Sequence, residues 1–568
     1  MSGITFVLNL AREALMAQQR GIHVTGHNIA NVNTPGYTRQ RLILTANAVT
    51  VDSRIKLGLG VKSDSVVQYF DRLTTKHINQ RTSELSKYES KQSILEYLQG
   101  IFNEESGNGL NKTLEDFWNA WQDLADNPGG IAERTALLQK TNNMCHRFYA
   151  LYNGLVQTKD EMNTNLKISV NELNTLTEQV ASLNERIVAS EASGTTANDL
   201  RDQRINAIEK MSQLVDTTYI ESDNGSMMLL TTSGIPLVDG NESWELNQEG
   251  NNIYWNNIPT DISNRLSGGK IGAWMDLRDE IIPQYMADLD ELAGTMISQV
   301  NGLHYGGYAL DNSTNRYFFN PFNMGPLQYG APWTGSSTVS VGGAYTGNAT
   351  KTFTFTIDGS GTVGTNSFDV DWIDGQGNSG TLLVTPTSYS NLSVFEGIQI
   401  SFGAGDVVVD TETFSVAVTD NTGAAGSIAL SSDVDGDPEN IAASTAPGES
   451  GNNQNALAIQ ALQDETLNIR KWIYQRGTLP SSQDQSGTMD EYYTIFVGDM
   501  GMLVEENNQN QSFNQTMIDQ LNEIRDSISG VNLDEETVNL IKYQHAFTAA
   551  SKLVTVCDEM LQNLLNMR

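Results

Sequence analysis

The clearest pattern in the chain is an alternating 4–3 spacing of apolar positions at both ends. Near the start, Ile4, Leu8, Ala11, Leu15, Gln18, Ile22, Thr25 and Ile29 share one side of a helix, about 40 Å long at the usual rise per residue. Near the end, Leu540, Tyr543, Phe547, Ala550, Val554, Cys557, Leu561 and Leu564 keep the same spacing, and Ala546, Leu553, Met560 and Met567 widen the face. Gly530 closes the preceding segment, and Asn532 with Glu535 three residues on marks a helix start. An amphipathic helix with nothing over its stripe is marginal in water. Burying one large apolar side chain contributes about 1.5–3 kcal/mol, so each stripe needs a cover. Matching seams at the two ends predict an antiparallel coiled coil between them.

Further seams lie inward. Leu166, Val170, Leu173, Leu176, Val180, Leu183 and Ile187 form one, and Ile282, Tyr285, Leu289, Leu292, Met296 and Leu303 another, with a polar gap at Gln299. A third runs Tyr493, Phe496, Met500, Leu503, then Asn507, Asn510, Asn514, then Met517, Leu521, Ile524 and Ile528. Three Asn on one seam predict a helix exposed or broken there, although buried Asn can also set register. Between 331 and 430 the period changes to two, as in Thr352-Phe353-Thr354-Phe355-Thr356-Ile357, with a turn at Asp358-Gly359. Shorter strand-like runs appear at Met227 to Leu230 and Ile235 to Val238, between turns at Asn224-Gly225 and Asp239-Gly240.

These patterns predict a multidomain α plus β chain: terminal helices in an antiparallel coiled coil, a helical bundle domain, and inserted β-rich outer domains. The expected division is nested. Residues 1–75 and 532–568 form the terminal coiled-coil region. Residues 76–205, 270–305 and 455–531 form a helical rod domain. Residues 206–269, 306–330 and 431–454 form a β-rich middle domain, and 331–430 an inserted β-rich outer domain. At 568 residues the chain is too long for a single core.

Charge narrows the partners. Lys plus Arg number 34 against 68 Asp plus Glu, a net of −34, which repels phosphate backbones and anionic membranes; nucleic acid and membrane are not expected partners. The balance is uneven: residues 1–80 hold nine Lys/Arg and four Asp/Glu, a net of +5, and residues 481–568 hold four and fourteen, a net of −10. The ends therefore attract, reinforcing their predicted pairing. The two cysteines, Cys145 and Cys557, are no disulfide framework and are expected as free thiols. No apolar run reaches the roughly 20 residues that cross a bilayer. The start lacks a cleavable secretory pattern, so work outside the cell would require export without cleavage.

Candidate chemistry is sparse. Gly359-Ser360-Gly361-Thr362-Val363-Gly364 has dinucleotide-loop spacing but opens no predicted helix. Asp433-Val434-Asp435-Gly436-Asp437 resembles a calcium loop whose Gly comes too early and whose closing Glu is missing. His23 and His27 are four apart, with no Glu between them and no third ligand evident. No Gly-x-Ser-x-Gly elbow occurs. The expectation is a non-enzyme with no catalytic residue, no cofactor and no metal.

The first helix runs into Asn28-Ile29-Ala30-Asn31-Val32-Asn33-Thr34-Pro35-Gly36-Tyr37, in which Thr34 to Tyr37 suits a type II turn, followed by a short strand-like stretch from Tyr37 through Leu44. This segment resembles the Ala-Asn-x-x-Thr-x-Gly-Tyr signature of the flagellar rod, hook and hook-associated family. Asn198-Asp199-Leu200-Arg201-Asp202-Gln203-Arg204, Gly268-Gly269-Lys270-Ile271-Gly272, Leu277-Arg278-Asp279 with Ile282-Pro283, and Ser529-Gly530-Val531-Asn532-Leu533-Asp534-Glu535-Glu536 are similar to its hook-associated members. Ile205 stands where those members usually carry Asp. The resemblance covers roughly 1–330 and 437–568, lapses over 331–430, and leaves 469–490 unaligned.

It implies a structural subunit that assembles on the hook tip and joins hook to filament. Export would proceed through the flagellar type III apparatus without a cleaved signal peptide, to an extracellular place in the flagellum. The implied partners are further copies of the chain in a ring, the hook protein, a second hook-associated junction protein, and an export chaperone binding the C-terminal helix. The expected assembly residues are Ile4, Leu8, Leu15, Ile22, Ile29, Asn28, Asn31, Thr34, Pro35, Gly36 and Tyr37 at one end. At the other they are Leu540, Tyr543, Phe547, Val554, Leu561 and Leu564. The alternatives are a hook or rod protein, a surface adhesin presenting 331–430, and a wall hydrolase carried on a flagellar scaffold.

Overall fold

The computed structural model describes all residues except 1, 53–54, 103–108, 193, 257, 322–323, 344, 346, 348 and 567–568. In chain order the first half comprises α1 (Ser2–Ala30), β1 (Gln40–Asp52), β2 (Ile55–Gln68), α2 (Arg72–Ile101), α3 (Leu110–Asp126), α4 (Ile131–Glu191) and α5 (Asn198–Leu214). Six short strands follow: β3 (Thr217–Glu221), β4 (Met227–Thr231), β5 (Pro236–Asp239), β6 (Glu242–Ser243), β7 (Leu246–Glu249) and β8 (Asn252–Trp255). Then come α6 (Gly269–Asp276) and α7 (Ile282–Gly306). β9 (Gln328–Tyr329) precedes the insert, which holds β10 (Val339–Gly343), β11 (Lys351–Asp358), β12 (Gly361–Thr362), β13 (Phe368–Ile373) and β14 (Ser379–Val384). It continues with β15 (Leu392–Ser393), β16 (Ile398–Phe402), β17 (Val407–Val408) and β18 (Thr413–Val418). The chain ends with α8 (Ala424–Ser427), α9 (Gln454–Ala461), β19 (Leu467–Ile473), β20 (Ser481–Gly487), α10 (Met489–Ser529) and α11 (Leu533–Asn566). The fold class is the expected one, multidomain α plus β.

Two compact units divide the chain. One comprises residues 1–92, 163–275 and 506–568, the other 93–162 and 276–505. In the first, α1 and α11 pack along each other, and β1 and β2 form a long antiparallel hairpin running from Gln40↔Gln68 to Asp52↔Ile55. That hairpin is longer than the stretch to Leu44 read from the sequence, where its outer half lacks a clean alternation. The seam from Leu166 to Ile187 on α4 is buried throughout. It packs on Ile208 and Met211 of α5 and on Met227, Leu229, Leu237 and Val238 of the four-stranded sheet β3-β4-β5-β6. Asn184, inside this core, donates to the carbonyls of Met227 (2.8 Å) and Gly240 (2.7 Å).

The helix break expected at the Asn seam does not occur. α10 is continuous through Asn507, Asn510 and Asn514, and Asn507 and Asn514 are buried. Asn507 Nδ2 donates to the Tyr88 carbonyl (2.9 Å) and to Gln92 Oε1 (2.7 Å), and Arg81 donates to Asn514 Oδ1 (3.3 Å). The two buried seam amides are tolerated because each is hydrogen-bonded.

In the second unit, α7 is buried on several sides and carries the predicted seam Ile282, Tyr285, Leu289, Leu292 and Met296 in its core. The insert is β-rich as expected. A five-stranded sheet β14-β13-β11-β18-β9 and a three-stranded sheet β10-β16-β15 share a core of Phe353, Phe355, Phe368, Val370, Ile398, Ile400, Phe402 and Phe414. Gly361-Thr362 of the dinucleotide-like run is strand β12, paired with β17, and opens no helix. The unaligned stretch 469–490 holds most of a hairpin, β19 against β20, from Leu467↔Gly487 to Ile473↔Ser481. Three buried carboxylates of α7 face it and the 421–425 segment. Asp288 accepts from Trp472 N (2.7 Å), Glu291 from Arg470 (2.7 Å) and Trp472 Nε1 (3.0 Å), and Asp290 from the amides of Gly423 (2.8 Å) and Ala425 (2.9 Å).

Candidate assembly interface

The pairing of α1 with α11 is antiparallel: Gly21 lies against the Tyr543 ring, and seven residues on, Asn28 bonds Glu536, seven residues back. A β-carbon at Gly21 would sit 2.6 Å from that ring, so glycine permits the close approach. The covered line on α1 consists of Ala11, Ala17, Gly21, Thr25 and Asn28, all small or polar. It shares Ala11 and Thr25 with the predicted stripe and is otherwise offset from it, because interaxial distance follows the side chains at the contact, and small ones bring the axes together. Of the predicted stripe, Leu15, Ile22 and Ile29 are half-buried, and Leu8 is 37% exposed. On α11, Ala550 and Cys557 are buried, and Leu540, Tyr543, Val554 and Leu561 half-buried. Phe547 is 37% exposed, and Ile541, Leu553, Val556 and Met560 are exposed beside it. The side chains of Ile4 and Leu564 lie outside the described residues, as does Met567.

At the hub end of this pair three sequence motifs meet. The turn after α1 is the predicted type II: Tyr37 N bonds the Thr34 carbonyl (3.2 Å), and Gly36 has φ +72°. Asn31 Nδ2 donates to the His27 carbonyl (3.0 Å), and Thr34 Oγ1 to Asn31 Oδ1 (3.1 Å), tying the helix end to the turn. Pro35 is exposed. A β-carbon on Gly36 would collide with Asn206 of α5 at 1.9 Å, so this glycine serves both the turn and a close approach. Buried Asn28 is saturated: Nδ2 donates to the Gln40 carbonyl (2.8 Å) and Glu536 Oε2 (3.0 Å), and Oδ1 accepts from Gln40 N (3.0 Å) and Tyr37 Oη (2.8 Å). His27 Nδ1 lies 3.0 Å from the same Tyr37 hydroxyl, a structural role for that histidine.

The 198–204 motif clamps the base of the hairpin. Asp202 accepts from Thr38 N (3.1 Å) and Gln68 Nε2 (2.8 Å), Asp199 accepts from Gln40 Nε2 (2.9 Å), and Asn198 Nδ2 donates to the Val66 carbonyl (3.1 Å). Arg201 pairs with Glu191 (2.7 Å) and Glu221 (2.5 Å), and buried Arg204 donates to Asn184 Oδ1 (2.8 Å) and the Gly225 carbonyl (2.7 Å).

The start of α11 completes the hub. Asn532 Oδ1 accepts from the amides of Asp534 (2.9 Å) and Glu535 (3.3 Å), the predicted cap. The Glu535 side chain does not return to it, and pairs with Arg39 (2.8 Å) instead. Arg39 also binds buried Glu536 through Nε (2.8 Å) and a second nitrogen (2.7 Å), and its amide donates to the Ser529 carbonyl (2.9 Å). The charge asymmetry of the ends thus becomes a bidentate contact.

Electrostatics follows from burial. Asp202 is pushed up to about 6, chiefly by desolvation, against the hydrogen bonds from Thr38 and Gln68. The Tyr37 hydroxyl is raised by burial and by the carboxylates of Asp199, Asp202 and Glu536. For Arg39, burial opposes the charge, but Glu536 and Glu535 more than offset it and raise its pKa. Arg39, Gln40, Gln68 and Asn206 were not among the residues expected from sequence. Only Arg39 left a trace there, as a cation matched to the acidic run at 534–536.

Among the described residues no group of three His, Cys, Asp or Glu is placed to hold a metal ion, and no helix is long and apolar enough to cross a membrane. Residues 95–319 match the family model of the flagellar hook-associated protein FlgK helical domain, residues 525–567 that of the flagellar basal body rod FlgEFG protein C-terminal region, and residues 8–38 that of the flagella basal body rod protein. The chain is 25% identical to flagellar hook-associated protein 1 of Bacillus subtilis, over 98% of this chain and 97% of that one. It is 24% identical to the protein of that name from Salmonella typhimurium, over 99% of this chain and 100% of that one. Both matched spans include 331–430. A solved structure, that of the flagellar hook junction protein FlgK from Burkholderia pseudomallei, shares the fold with a TM-score of 0.56 and 17% identity, covering 80% of this chain and 100% of the other.

Proposed function

This chain belongs to the flagellar rod, hook and hook-associated family, with full-length similarity to flagellar hook-associated protein 1, and from that premise we propose that it is a structural subunit joining hook to filament. The observation that carries this reading is the α1–α11 pair. Its two helices are covered along a line of small residues, while Leu8, Ile541, Phe547, Leu553, Val556 and Met560 remain exposed. Each such side chain contributes about 1.5–3 kcal/mol when fully buried, so a row of them supports lateral packing against further copies. Heterologous contacts of this kind close into a ring or a helical turn. The assembly residues are then the two predicted stripes together with the Asn28–Tyr37 loop, which orients them. The nested four-part division read from the sequence is retained as the domain plan.

Partners follow from the same reading: sister copies, the hook protein below, a second junction protein above, and an export chaperone that covers the α11 stripe before assembly. Export would leave the N-terminus uncleaved and place the chain outside the cell, in the flagellum. A scaffold role requires no catalysis. In the free subunit the end helices would be loosely ordered, becoming fixed on the hook.

Two measurements test this. In cells lacking the gene, micrographs are expected to show hooks without filaments, restored by the full chain; normal filaments on the deletion strain would refute the function. Amide exchange on the free subunit is expected to find 4–29 and 540–564 less protected than α4 and α7. Equal protection would refute ordering on assembly.

A further inference from the structure

The insert holds a buried cluster of charge that the assembly reading does not use. Lys351 opens β11, and its Nζ lies 2.9 Å from Oδ2 of Asp374, in the β13–β14 turn. The same nitrogen lies 2.6 Å from Oε2 of Glu396, between β15 and β16. The Lys351 side chain is 4% exposed and that of Asp374 0%. The rings of Tyr345, Phe353 and Phe395 stand 5.9, 5.3 and 5.4 Å from the amine, and Phe395 stacks on Trp372 (5.3 Å), holding the turn that carries Glu396. One amine thus meets two carboxylates, one more than its charge requires, in an aromatic surround. Glu396 reaches it from a backbone φ of +47°, a conformation that costs a non-glycine residue energy and concentrates at working sites.

The Asp374 carboxyl is arranged as an acyl-transfer centre would be. Its Oδ1 accepts from the amides of Gln376 (2.9 Å) and Asn378 (3.0 Å), donors placed to stabilise charge that develops on that oxygen. Its Oδ2 accepts from Asn378 Nδ2 (2.7 Å) besides Lys351. For Lys351, burial opposes the charge, but Glu396 and Asp374 outweigh it and raise the pKa. For Asp374, burial likewise opposes the charge, but Asn378 and Lys351 outweigh it and hold the carboxyl well below its ordinary value. The resting state is an ion pair, fixed in contact at a high effective concentration.

We propose that Lys351 and Asp374 condense into an intramolecular amide, with Glu396 as the proton relay, so that the folded insert braces itself covalently. Two protons pass in turn from the Lys351 nitrogen through Glu396 to Oδ2 of Asp374. The nitrogen bonds to Cγ, negative charge gathers on Oδ1 between its two amide donors, and the Cγ–Oδ2 bond breaks to release one water. Glu396 ends ionised, as it began, and no other reagent is consumed. Its side chain is 26% exposed, which gives the water a way out. With solvent excluded from the carboxyl, hydrolysis of the amide lacks its reagent. The bond closes a loop from 351 to 374 and restricts the unfolded chain as a crosslink does. It does not depend on the junction role.

Mass spectrometry of the purified full-length chain, held folded until its mass is constant, is expected to read one water below the sequence mass. Trypsin should then fail to cut after Lys351 and release a branched peptide joining Lys351 to Asp374. The full sequence mass would overturn the proposal. Loss of water without a branched peptide would overturn it too, since a cyclic imide at Asp374-Gly375 loses the same water and joins no peptides. Lys351→Arg keeps the charge but cannot condense, and is expected to restore the full mass and lower the unfolding temperature of the insert. Glu396→Gln is expected to slow the appearance of the branched peptide about a hundredfold, with amide exchange over 351–418 showing the insert still folded. Crosslinking at an unaltered rate in that variant would overturn the relay. The mass of the unaltered chain decides the amide whether or not either variant folds.

Discussion

At the scale of single residues, the hub between the chain ends is built from a few saturated polar groups. Glu536 is the most exposed to loss, because it is buried and shared by Arg39 and Asn28. Replacing it by Ala leaves the partly buried Arg39 guanidinium with only the exposed Glu535, and removes one of the two acceptors of the Asn28 amide. The expected cost is about 3 kcal/mol, roughly a hundredfold in local opening, read as faster amide exchange at Arg39 and Gln40. Gly36→Ala strains a positive φ and drives a methyl into Asn206. It should destabilise the turn by about 2 kcal/mol, measurable by the same exchange. Asp202 sets a pH dependence. Unfolded, it ionises near 3.8; folded, at about 6. Between those values the folded state holds more protons, so stability falls as pH rises through the window and levels off above it. The full swing is about 3 kcal/mol, and Asp202→Asn should flatten the profile of hub exchange between pH 4 and 6.

At the scale of elements, close approach decides which faces meet. Gly21→Leu would place a side chain where the Tyr543 ring lies, and should separate α1 from α11 despite the better helix propensity of leucine. Filament counts in cells would register the loss. Helix α7 presents a parallel case in the other unit. Asp288 and Asp290 are each pushed up to about 7, foremost by burial. Protonated, they fit their buried sites; ionised, they remain there at a cost. The β19–β20 hairpin and the 421–425 segment should therefore loosen as pH rises from about 4 to 7, with amide exchange over 467–487 as the check. A profile rising in protection with pH would contradict the assignment.

For the whole molecule, an excess of 34 negative charges sets copies of the chain against one another at long range, so association must come from short-range burial and paired ends. Raising salt from low to physiological ionic strength screens charges more than about 8 Å apart. It should therefore strengthen subunit association while leaving the buried Arg39–Glu536 contact intact. Sedimentation of purified subunits across that range gives the measurement, and weaker association at higher salt would contradict it.

Much of this protein was legible before folding. Period marked α1, α4, α7 and α11 and the β character of 331–430, because burial on one face imposes a local rhythm that the chain cannot hide, and Pro35 with Gly36 marked the type II turn at Thr34–Tyr37. Opposite charge at the ends likewise anticipated their attraction, though not the pairing of Arg39 with Glu535 and Glu536 that realises it. Tertiary structure alone decided which line of α1 is covered, since Ala17, Gly21 and Asn28 matter through what approaches them, not through hydrophobicity. It also decided that the Asn seam of α10 stays helical, because Gln92 and Tyr88 supply partners distant in sequence. The same holds for the clamp of Asp202 on Thr38 and Gln68. Local periodicity reports how much of a residue is buried, and the identity of its neighbour is written only in the way the chain returns on itself.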